Sequence, residues 1–222
     1  MPTPIATLRT ASSAVVSTNK LIRNTYLLLS MTLLFSALTA SLSVALNMPP
    51  MTYLVSSVVA LALVWFVLPR TANSAAGLGV VFAFTGLMGF ALGPMLTMYL
   101  SLPQGPQLVA TALGGTGAIF LGLSAYALTT RRDFNFMGGF LFVGMLVVLG
   151  ASLLNIFLHI PAMSLAISAV VVLLMSGFIL FDTSRMVNGG VDNYIVATVQ
   201  LYMNIFNLFV SLLQILGITR DE

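Results

Sequence analysis

Apolar residues run almost without interruption along this chain, and short polar clusters cut the run into seven pieces. The pieces cover residues 25–46, 52–69, 75–100, 107–128, 137–158, 163–187 and 194–218. Each is long enough to cross about 30 Å of hydrocarbon as an α-helix rising 1.5 Å per residue. The breaks have local causes. Asn47-Met48-Pro49-Pro50 and Ser101-Leu102-Pro103-Gln104-Gly105-Pro106 cannot stay helical, because proline has no N–H to donate and glycine favours turns. Pro69-Arg70, Thr129-Thr130-Arg131-Arg132-Asp133, His159-Ile160-Pro161 and Asn188-Gly189-Gly190 close the others. The pattern predicts an all-α polytopic membrane protein. Seven transmembrane helices form one domain, residues 24–222, behind a flexible polar tail at residues 1–23.

The last piece, Tyr194 to Ile218, differs from the rest. It carries Gln200, Asn204, Asn207, Ser211 and Gln214, spaced so that all five side chains fall on one helical face. An unpaired amide in hydrocarbon costs several kcal/mol, so this seam is expected to face protein or water. Two uses fit it: hydrogen-bonded glue between helices, or the lining of a polar cavity. Asp182 is the acidic side chain set well inside an apolar piece, near the end of the sixth. Counting rise from the ends of their spans puts Gln200 level with Asp182 and Asn204 one turn deeper. Asp182, Thr183, Gln200 and Asn204 therefore make a candidate polar cluster, with Asn207 next along the seam. The alternative is an aspartate that snorkels to the interface or pairs with Arg185.

Composition strengthens the membrane reading and removes several chemistries. The 222 residues are 59% hydrophobic and 6% charged, with a mean hydropathy of +1.08. Continuous runs point to helices and not to a barrel. There is no cysteine, hence no disulfide framework, thiol nucleophile or cysteine metal site. No cleavable leader is expected, since the first apolar run is a full span without a small-residue exit. Of the eight basic residues, Arg9, Lys20, Arg23, Arg70, Arg131, Arg132 and Arg185 flank one set of span ends. Arg220 alone falls on the other. That bias predicts a cytoplasmic N-terminus and a C-terminus on the far side, and the net +3 reports topology, not nucleic-acid binding. No enzyme is expected. A membrane aspartyl protease needs a second intramembrane aspartate, a Ser/His dyad needs a histidine deeper than His159, and a retinal protein needs a lysine in its last helix. No phosphate loop, metal motif or cofactor site is read.

Packing residues are plentiful. Gly86, Gly89 and Gly93 in the third span, Gly114, Gly115, Gly117 and Gly122 in the fourth, and Gly138, Gly139, Gly144 and Gly150 in the fifth predict close backbone approach. Pro94 is expected to kink the third helix. Asn155 and Tyr126 are expected to be hydrogen-bonding core residues, and His159 a loop residue.

Several stretches resemble the Bax inhibitor-1 (transmembrane Bax inhibitor motif) family. They are Phe82-Ala83-Phe84-Thr85-Gly86 through Leu92-Gly93-Pro94, Ser124-Ala125-Tyr126 with Arg131-Arg132, Leu180-Phe181-Asp182-Thr183, and Asn193-Tyr194-Ile195 with Leu201-Tyr202. Arg23-Asn24-Thr25-Tyr26, Ala127-Leu128-Thr129-Thr130-Arg131 and Leu165-Ala166-Ile167-Ser168-Ala169 resemble its bacterial YccA-type branch. The likeness covers nearly all of residues 18–222. It implies a seven-helix bundle with the seventh helix central, and two activities in different branches. One is a pH-sensitive calcium leak built on an aspartate pair, with an arginine nearby. The other, in the YccA-type branch, is restraint of the membrane-anchored AAA+ protease FtsH. Carried over, the sixth-helix aspartate is Asp182, the arginine is Arg70, and the seventh-helix aspartate is replaced by Asn204. Two carboxylates in contact share a proton, and one beside an amide does not. A single carboxylate with amides is also a weaker site for Ca²⁺. The implied function is an inner-membrane modulator of FtsH, with a cation leak, carrying Ca²⁺ or H⁺ through a weakened acidic centre, as the alternative.

Overall fold

The computed structural model describes the backbone of residues 4–218 and the side chains of residues 18–218. Seven helices carry the chain: α1 Pro4–Ala45, α2 Met51–Thr71, α3 Ala75–Leu100, α4 Gly105–Thr130, α5 Gly138–Leu158, α6 Pro161–Val187 and α7 Tyr194–Ile218. All seven contain a stretch long and apolar enough to cross a membrane. The ends follow from the turn chemistry. Asn47, Gln104, Arg131 and His159 take left-handed backbone (φ +49 to +61°) between consecutive helices, and Gly189 does the same at +78° after α6. Pro161 opens α6 at a position where its missing N–H is no loss. Asn193 caps α7 by accepting from the Ile195 N–H at 2.8 Å. Its amide also donates to the Ala72 carbonyl and Asn73 Oδ1, which pins the start of α7 to the α2–α3 turn.

Two boundaries differ from expectation. Helix α1 has no break at residue 23: it runs back to Pro4, while its apolar span starts at Thr18. The segment expected to be a flexible tail is a helical extension through residue 17. Arg220 lies outside the described residues. Helix α2 contains a π-turn at Leu63–Val67. Pro69 explains it, because residue 69 cannot donate to the Trp65 carbonyl and its ring collides there, so the ladder resets one residue wider.

Helix α7 is the hub. It packs on α1, α3, α4 and α6, and none of its residues is exposed. By contrast, α2 packs on α3 alone and α5 on α6 alone among the described helices. A node of hydrogen bonds fixes three of the central helices: Tyr202 Oη of α7 donates to the Thr85 carbonyl of α3 at 3.2 Å and lies 2.7 Å from Ser36 Oγ of α1. All three residues are buried, and sequence reasoning did not single the node out.

The glycines divide by face. A Cβ on Gly89 would overlap the Ser36 carbonyl, and one on Gly93 would overlap Ser43, so the Gly89–Gly93 pair does bring α1 and α3 into backbone contact. Gly144 faces the end of the Leu174 side chain, a closer approach than a Cβ allows but one that a rotatable leucine tip can relieve. The expectation fails for most of α4 and part of α5: Gly114, Gly117 and Gly122, with Gly139 and Gly150, have open space around them, while Gly115 meets Leu212 of α7 and Gly138 meets Phe181 of α6. Helix α3 passes Pro94 as a single α-helix from Ala75 to Leu100.

Candidate functional site

Asp182 sits in the last third of α6 and is only 8% exposed. Its Oδ2 accepts a 2.7 Å hydrogen bond from Asn204 Nδ2 of α7. The contact arises because α6 and α7 pack along most of their length, which brings the seam of α7 against α6. Further along the seam Ser168 Oγ donates to Gln214 Oε1 at 2.8 Å. Asn204 and Ser211 are buried, and Gln200, Asn207 and Gln214 are half-buried. None of the row faces outward.

Beside the Asp182–Asn204 pair lies a cavity of about 380 Å³. Asp182, Arg185, Gln200, Asn204 and Asn207 face it from α6 and α7, and Val64 and Trp65 close it from α2. It exists because α2 and α6 do not pack on one another. Asn207 spends its amide on the Met203 carbonyl of its own helix. Gln200 makes no side-chain hydrogen bond among the described residues, so its amide is available to whatever occupies the cavity. Asn204 and Gln214 join helices, as the first expected use requires, while Gln200 and Asn207 border a cavity whose lining is otherwise largely apolar, with Leu61, Val64, Met145, Met175 and Phe178 around it.

Thr183 is fully buried on the neighbouring face of α6, with its Oγ1 3.4 Å from Tyr26 Oη of α1. It supports the α1–α6 contact and does not line the cavity. Arg70 is not at the site. Its guanidinium folds back on the Phe66 carbonyl and is exposed, because the π-turn ahead of Pro69 leaves that end of α2 with carbonyls to satisfy. Arg185 is the arginine on the cavity wall, and its position one turn after Asp182 was the available sequence signal. It makes no ion pair with Asp182. Instead it donates to the Gly190 carbonyl at 2.9 Å and lies 5.5 Å over the Phe181 ring. Neither snorkelling nor that ion pair describes Asp182.

Of the remaining polar residues, Asn155 bonds as expected, donating to Ser164 Oγ at 2.6 Å and accepting from the Ile160 N–H. Tyr126 is 44% exposed and is not a core residue. His159 closes α5 in the turn before α6, as a loop residue should.

Known proteins carry the same pattern of sequence. The family profile "Inhibitor of apoptosis-promoting Bax1" matches residues 18–221. An uncharacterized membrane protein of Vibrio cholerae is 51% identical over 222 residues, the full length of both chains. A protein of Escherichia coli K12 named "Modulator of FtsH protease YccA" is 51% identical over 210 residues, 95% of each chain. An uncharacterized Pseudomonas aeruginosa protein is 46% identical over 202 residues, 90% of each. The profile match and these relatives extend over almost all of the sequence, and the chain belongs to the Bax inhibitor-1 family.

Proposed function

We propose that this protein is a bacterial inner-membrane regulator that binds FtsH and restrains it. The observation that carries this is the 51% identity, over 95% of both chains, to the E. coli protein named for modulating FtsH. The N-terminus is assigned to the cytoplasm on the basic bias of the span ends. Helix α1 then projects from the membrane on that side, about 20 Å of helix between Pro4 and Thr18 at 1.5 Å per residue. This arm would have to unwind before a AAA+ pore could thread it, so we assign it docking and not delivery as a substrate. The test is co-purification from native membranes with full-length protein and with residues 1–17 deleted. Full-length protein should recover FtsH and slow turnover of a membrane substrate, and the deletion should reduce both by about tenfold, near 1.4 kcal/mol. Full-length protein that does neither would remove the proposal.

A second reading, a cation leak through the bundle, is favoured by the cavity that Asp182 shares with Gln200, Asn204 and Asn207. It predicts flux into liposomes that falls in Asp182→Asn. Asn204→Asp restores a carboxylate at hydrogen-bonding distance from Asp182, and such a pair holds one proton between them. Flux in that variant should exceed that of wild type and respond more strongly to pH. Wild type and Asn204→Asp both indistinguishable from empty liposomes would sink the leak.

A further inference from the structure

Two charged side chains face the cavity beside α7, and both come from α6: Asp182 and Arg185. At a spacing of i, i+3 they share one face of the helix, with Cβ atoms about 5–6 Å apart. The other side chains on the wall, from α2, α5, α6 and α7, are uncharged. One carboxylate and one guanidinium leave the space without net charge.

Oxygen ligands are not what the cavity lacks. Asp182 commits Oδ2 to the Asn204 amide, and its second oxygen has no partner among the described residues. Asn207 spends only its N–H, on the Met203 carbonyl, and Gln200 is unbonded. With water, these side chains could supply the oxygen shell that a calcium ion takes. The obstacle is electrostatic. Arg185 is held in place, donating to the Gly190 carbonyl at 2.9 Å and lying 5.5 Å over the Phe181 ring. It stands nearer the end of α6 than Asp182 does. In the orientation assigned above, an ion entering from the cytoplasm therefore meets the guanidinium before the carboxylate. Deeper in, Met145, Met175 and Phe178 make an apolar wall that gives a cation no second approach. A fixed positive charge repels a divalent cation twice as strongly as a monovalent one, and an arginine on a narrow polar path is a known kind of barrier to cations.

We propose that Arg185 is the specificity-determining residue of this cavity, closing it to divalent cations while water, protons and monovalent ions are admitted. The claim concerns what the cavity binds and not whether anything crosses the bundle, so it is separable from the leak. Flux could be nil in every variant while binding follows the pattern below. Where a leak operates, its cargo is a proton or a monovalent ion and not Ca²⁺.

The single tryptophan of the chain, Trp65, is on the wall of the same cavity, which makes a direct test possible. Full-length protein in detergent is titrated with Tb³⁺, a stand-in for Ca²⁺ whose emission is excited through a nearby indole. Arg185→Gln should half-saturate at a Tb³⁺ concentration at least about tenfold below that of wild type, near 1.4 kcal/mol. Glutamine can still donate to the Gly190 carbonyl, and Arg185→Met, which keeps a stem against Phe181, takes its place if the first variant does not fold. Arg185→Lys returns the charge and should return the weak binding. Asp182→Asn/Arg185→Gln should lose what Arg185→Gln gained. Equal half-saturation in wild type and the neutral variant would overturn the assignment. So would tight binding by Arg185→Lys, or a gain that survives loss of the Asp182 carboxylate, because the ion would then be held elsewhere.

Discussion

Asn204→Leu is expected to destabilise the bundle by roughly 1.5–3 kcal/mol, read as a lower unfolding midpoint in mild detergent. The 2.7 Å bond from Asn204 to Asp182 is the hydrogen bond made by that carboxylate among the described residues. Leucine removes the donor and presses hydrocarbon against a buried acceptor. Hydrogen bonds between membrane helices are worth about 0.6 kcal/mol on average, because helices separated in the bilayer find other partners. The larger figure here comes from the orphaned carboxyl group and not from the lost bond. Two companion variants separate these contributions. Asp182→Asn keeps an acceptor for the Asn204 amide and should cost under about 1 kcal/mol. The double variant Asp182→Leu/Asn204→Leu has no orphan and should be more stable than Asn204→Leu alone, a strongly non-additive cycle. If Asn204→Leu shifts stability by less than about 0.5 kcal/mol, as an ordinary surface change would, the pair does not hold α6 to α7.

The spacing of Gln200, Asn204, Asn207, Ser211 and Gln214 was enough to orient α7, because an amide in a membrane has few places to go. Polar residues carry directional information there. Apolar ones and glycines do not, since a lipid-facing and a protein-facing surface can have the same composition. That is why Gly89 and Gly93 met α1 as expected while Gly114, Gly117 and Gly122 in α4 face open space. Arg70 was placed at the centre by family likeness, and the π-turn that Pro69 imposes on α2 turned it away. The length of α1 was illegible for another reason. Residues 4–17 lack the apolar periodicity that marks a span, so no sequence pattern announced that the helix extends through them. The Ser36–Tyr202–Thr85 node joins residues 166 and 117 positions apart, and no local pattern announces such a contact. Its ingredients, a tyrosine and two hydroxyl residues inside apolar spans, were visible without their geometry.

Gly89→Leu should cost roughly 3 kcal/mol or more, at or beyond the upper end of ordinary overpacking. The obstacle is backbone. A Cβ at residue 89 meets the Ser36 carbonyl, with Ser36 Oγ and Thr39 Oγ1 close behind, and a carbonyl cannot rotate out of the way as a side-chain tip can. Helix α1 would have to move off α3. Ser36 is also the residue that bonds Tyr202 at 2.7 Å, so the displacement pulls at α7 as well. Even Gly89→Ala adds the offending atom, and it should be clearly destabilising although alanine is the better helix former. Gly114→Leu is the control: the same substitution in the same kind of helix, with open space around the new side chain, should stay within about 0.5 kcal/mol. Tyr202→Phe then tests the link between seam and node. It removes the hydroxyl that joins α1, α3 and α7, and if Gly89→Ala acts by breaking that junction the two costs will not add. Full additivity would mean that the seam and the Tyr202 junction act independently, and a Gly89→Leu protein as stable as Gly114→Leu would mean that α1 and α3 are not held at backbone contact.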